Sequence, residues 1–61
     1  MRIRYDMKKL PNGLWCVFDI ITGGIARHNG KDVIGLNIIE TDHMVDRLNR
    51  IYRNNFSKIL N

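Results

Sequence analysis

The chain has little of what usually holds a very small protein together from outside its hydrophobic core. A single cysteine, Cys16, excludes an internal disulfide. The only histidines, His28 and His43, stand far from it, and no CxxC, HxxxH or HExxH spacing offers a metal site or a thiol with a base beside it. Set among Leu14, Trp15, Val17 and Phe18, the Cys16 thiol is expected to be shut away from the charged, open setting that nucleophilic work needs, so a structural role is expected. His28, beside a turn, reads as solvated, and His43, after Asp42, as a surface or capping residue. Gly23-Gly24 lacks both the GxxxxGK[ST] and the GxGxxG pattern and reads as a turn rather than a phosphate cradle. No cofactor, metal or small-molecule substrate is indicated, and a non-enzymatic role is expected.

Long apolar runs are missing too. The longest, residues 14–18, ends at Asp19, well short of the ~20 residues of a membrane-spanning helix. With one thiol and no leader-like start, the expected setting is reducing and cytosolic. The 61 residues suffice for one domain. A chain of this size buries only ~60% of the surface its unfolded form exposes. Without disulfide or metal, self-association is the compensation left, alongside close packing of a composition that is 44% hydrophobic.

What is present is a carboxy-terminal stripe. Met44, Val45, Leu48, Ile51, Tyr52, Phe56, Ile59 and Leu60 recur at the 3, 4, 7, 8 spacing that gathers side chains on one side of a helix. Asp42, Asp46, Arg47, Arg50, Arg53, Asn54 and Lys58 fall on the other side. The spacing predicts a helix over about residues 41–54, reaching 60 unless Asn54-Asn55 stops it in a left-handed turn. Thr41 is expected as its cap, Asp42 as its dipole partner, and Asp46–Arg50 as a pair contributing ~0.3 kcal/mol.

Upstream the pattern is that of strands. Ile3, Tyr5 and Met7 alternate with charged neighbours, Pro11 and Gly13 predict a tight turn, and residues 14–21 are rich in β-branched and aromatic types. A three-residue loop there would set Leu10 opposite Leu14, Met7 opposite Val17 and Ile3 opposite Ile21. Which face then meets the helix is left open. After Thr22-Gly23-Gly24, residues 25–28 and 31–39 predict two more strands about a primed Asn29-Gly30 turn, with a bulge or an early end at Gly35. The fold class is therefore α+β: three or four antiparallel strands over about residues 2–38, with the helix packed on one face.

One helix covers one face, so apolar side chains on the other would mark an interface. Trp15, Val17 and Ile21 are the candidates, for a second copy of the chain or a small protein partner; Trp15 reads equally as a core aromatic. The alternative is nucleic acid. Net charge is +4, and basic residues gather near both ends. Arg2, Arg4, Lys8 and Lys9 with Arg47 and Arg50 are the candidate phosphate contacts. In its order of strands followed by one helix the chain is similar to the small sheet-reading DNA-binding domains of phage-type integrases, a likeness of topology alone.

Overall fold

A computed structural model describes residues 3–60, with side chains described as far as residue 55. Arg2 and the side chains of Phe56, Lys58, Ile59 and Leu60 lie outside the described residues. The fold is α+β, as the pattern predicts. β1 (Tyr5–Lys9) and β2 (Trp15–Asp19) pair antiparallel, with Met7 opposite Val17, Lys9 opposite Trp15 and Tyr5 opposite Asp19. This is the register that a three-residue loop dictates. The loop closes as the Leu10 N–H donates to the Leu14 carbonyl (2.7 Å) and the Gly13 N–H to the Leu10 carbonyl (3.0 Å).

The other edge of β2 is shared by two short segments. Val17 accepts from the Ala26 N–H (2.9 Å) and donates to the Val33 carbonyl (3.0 Å), while the Val33 N–H donates to Ala26 (2.9 Å). Between Ala26 and Val33 the chain leaves the sheet as a two-stranded ribbon, β3 (Arg27–His28) and β4 (Lys31–Asp32), turning at Asn29 and Gly30 with φ of 54° and 78°. The main sheet is thus three-stranded, in the order β1-β2-β5.

β5 (Ile34–Leu36) carries the bulge. Leu36 pairs with Trp15 and Ile34 with Cys16, so Gly35 is an extra residue, held at φ 77°. Strand alternation would otherwise put Ile34 and Leu36 on the same side. With Gly35 inserted, Leu36 turns to the side of Val33 and packs on the core, while Ile34 stays half-exposed.

The helix α1 (Ile38–Leu60) starts three residues earlier than its apolar spacing predicts. Asn37 is the cap: its side-chain oxygen accepts the Glu40 N–H at 2.8 Å. Thr41 lies one turn inside, buried, with its hydroxyl donating to the Asn37 carbonyl at 2.6 Å. Ile38 and Ile39 continue the apolar look of the preceding strand, which hides the switch. Asn54 and Asn55 do not stop the helix, which runs through them.

Val17, Ala26, Val33 and Leu48 form the buried core, with Tyr5, Leu36, Met44 and Val45 packed around them. The helix therefore covers the side of the sheet that bears Tyr5, Met7, Trp15 and Val17. Among the described residues no helix is long and apolar enough to cross a membrane.

Candidate interaction surface

The helix meets the sheet in two different ways along its length. Near Tyr52 the contact is polar and closed. Asn49, buried on the apolar stripe, accepts the Arg4 and Tyr5 N–H groups (2.9 and 2.8 Å) and donates its amide to the Tyr5 carbonyl (3.0 Å). An amide in this position supplies the backbone pairing that edge strand β1 lacks on its outer side. Beside it, Arg4 directs two donors at one Asp19 oxygen, Oδ2, through Nη2 at 2.8 Å and Nε at 3.0 Å. The guanidinium also lies 5.3 Å from the Tyr52 ring centre and 5.7 Å from that of Tyr5.

Asp19 then organises the turn after β2, accepting the Ile21 N–H (2.8 Å) and the Thr22 N–H (3.4 Å). The Arg4 hydrogen bond holds the Asp19 carboxyl below its ordinary value against the opposing effect of burial, with the two backbone N–H groups acting in the same direction as Arg4.

At its other end the contact is apolar and open. The helix begins directly after β5, where Leu36 pairs with Trp15, and its first turns stand beside Met7 and Trp15 of the hairpin. One corner between helix and hairpin is left open. That corner is a groove of about 520 Å³ lined by Met7, Trp15, Ile38, Ile39 and Asp42. Met7 and Trp15 are half-buried on its floor, whereas Ile38 and Ile39 are 53% and 66% exposed. Lys9, opposite Trp15, falls on the same side of the hairpin by alternation and is exposed. Among the described residues neither Lys9 nor Asp42 makes an ion pair; Asp19, Asp32 and Asp46 pair with Arg4, Arg27 and Arg50.

The structure separates the three residues expected on an uncovered sheet face. Trp15 lines the groove. Val17 is fully buried under the helix and belongs to the core, because the hairpin turns this side inward. Ile21 is 67% exposed, in the turn at the far end of β2 from Trp15. The side facing away from the helix instead carries Cys16, Phe18 and Ile34. Cys16 is fully buried there between its strand neighbours, and the Lys8 ammonium lies 5.4 Å from the Phe18 ring centre.

The basic candidates do not converge. Arg4 is taken up by Asp19, Arg50 is paired with Asp46 at 3.1 Å, and Lys8 lies on the sheet face opposite the helix that bears Arg47. Lys9 stands opposite Trp15, on the side of the hairpin that faces the helix.

Asn49, Asp42, Ile38 and Ile39 were not marked as site residues by sequence pattern. Asn49 carried a signal, being a polar residue inside the apolar stripe between Val45 and Tyr52. The groove residues carried none, since the groove brings Met7 and Trp15 together with Ile38, Ile39 and Asp42, which no local spacing relates. Among the described residues no three His, Cys, Asp or Glu side chains come together to hold a metal ion. No protein-family model, curated protein or solved structure matches the chain.

Proposed function

We propose that the chain is a non-enzymatic interaction module of a reducing, cytosolic setting, which binds a second copy of itself or another small protein through apolar surface its own helix leaves uncovered. The observation that carries this reading is the Trp15 groove: an indole and a thioether on the floor of an open apolar corner, with two exposed isoleucines on its wall. Indole, thioether and branched aliphatic groups are what binding surfaces bury at their centres, and they supply no acid, base or nucleophile. The paired Arg4 and Arg50, and the separation of Lys8 from the helix arginines, favour a protein partner over a phosphate backbone.

Light scattering over a range of concentrations, read together with Trp15 emission, tests this. Self-association predicts a mass rising from 7.2 kDa toward twice that value, with the emission moving to shorter wavelength as the groove closes. A constant chain mass and an unchanged emission at the highest concentration would remove self-association, leaving only a partner of different sequence.

A further inference from the structure

We infer that the Trp15 groove is one half of a two-fold symmetric interface, in which a second copy of the chain fills the groove with its own Ile39 and sets its Asp42 against Lys9, reciprocally. This rests on the reading that the chain self-associates and adds to it the surface, the symmetry and the polar pairs.

Ile38 and Ile39 wall the groove and are themselves exposed, so one corner of the molecule carries an apolar hole with an apolar knob at its edge. In a two-fold interface the same patch occurs on both subunits, and each contact from one residue to another is repeated in reverse. A patch with hole and knob side by side satisfies that requirement, because each copy can insert its knob in the other's hole.

Charge makes the same demand. A patch of one sign meets itself with repulsion across a two-fold axis, whereas one with both signs can cross-pair. Lys9 stands opposite Trp15 on the strand side and Asp42 lines the groove on the helix side, both exposed and without an ion pair among the described residues. Lys9 facing the Asp42 of the second copy, and Asp42 facing its Lys9, uses both. The opposite sheet face offers less: Cys16 is sealed, and Lys8 lies over the Phe18 ring.

Charge reversal tests the inference on the whole chain by sedimentation equilibrium. In Lys9→Glu the substituted residue would face Asp42 of the second copy, and in Asp42→Lys it would face Lys9, so each variant alone should dimerise about tenfold more weakly than the wild type. Lys9→Gln and Asp42→Asn, which remove a charge without reversing it, should weaken dimerisation less. An equimolar mixture of the two reversed variants should form a heterodimer as tight as the wild-type dimer, because the unchanged Asp42 of one then faces the unchanged Lys9 of the other, and the two substituted positions face each other with their signs exchanged. A wild-type dimer that the single reversals leave unchanged, or a mixture that recovers nothing, overturns this interface while self-association stands. A wild type that stays at its chain mass overturns both.

Discussion

The two ends of the helix–sheet contact solve the same problem differently. Near Tyr52, hydrogen bonds saturate the join: one amide closes the outer edge of β1, and an arginine binds a carboxylate that also holds the next turn. Near Trp15, the apolar side chains of Met7, Ile38 and Ile39 meet beside Asp42, and they do not fill the corner. Buried polar groups lose much when a partner is withdrawn, so the first end is specified by directional bonds and tolerates little change. Apolar surface accepts any well-shaped cover, so the second end remains available to another molecule. Within one short chain, then, the polar end is closed by bonds between fixed partners and the apolar end is left open.

Substitutions can break this comparison, and the largest effect is expected at Asn49. Asn49→Ala strands the Arg4 and Tyr5 N–H groups and the Tyr5 carbonyl, costing about 2–4 kcal/mol, which urea denaturation should show as a lower midpoint. That approaches the whole stability of a domain of this size. A smaller loss is expected from Asp19→Asn, together with a change in acid response. Because the folded-state carboxyl is held below its ordinary value, the unfolded chain takes up the proton first as pH falls. The Asp19 contribution is therefore complete above about pH 5 and declines as pH drops through the ordinary aspartate range near ~4 and below. Thermal melts from pH 6 to pH 2 should fall less steeply for Asp19→Asn than for the wild type.

Gly35→Ala meets no atom within 4 Å but must hold φ 77°, a cost of about 1 kcal/mol through backbone strain alone. The smallest effect on stability is expected at the open end. Ile39→Ser should change the unfolding free energy by less than about 0.5 kcal/mol, since the side chain is 66% exposed, and yet weaken association. Loss of folding in Ile39→Ser would mean that the groove belongs to the core.

The parts of the fold legible in the sequence were those set by local rules. Pro11 and Gly13 dictated the loop and hence the β1–β2 register, Asn29-Gly30 the ribbon turn, Gly35 the bulge, and the 3, 4, 7, 8 spacing the helix. The helix start was not, because Ile38 and Ile39 have strand-like character and only the Asn37 side chain marks the switch. Nor was the site. Val17 and Trp15 lie on one side of a strand, and no spacing distinguishes the one that the helix covers from the one it misses. That depends on how segments far apart in the chain meet, such as Arg4 and Asn49, about 45 residues apart.

Backbone amide chemical shifts followed by NMR on dilution decide whether another molecule binds at the Trp15 corner or at the Asn49 end. Binding at the corner gives concentration-dependent shifts at Met7, Lys9, Trp15, Ile38, Ile39 and Asp42, with Tyr5, Asp19 and Asn49 unmoved. Shifts concentrated at Leu14, Phe18 and Ile34, or none at any concentration, would contradict it.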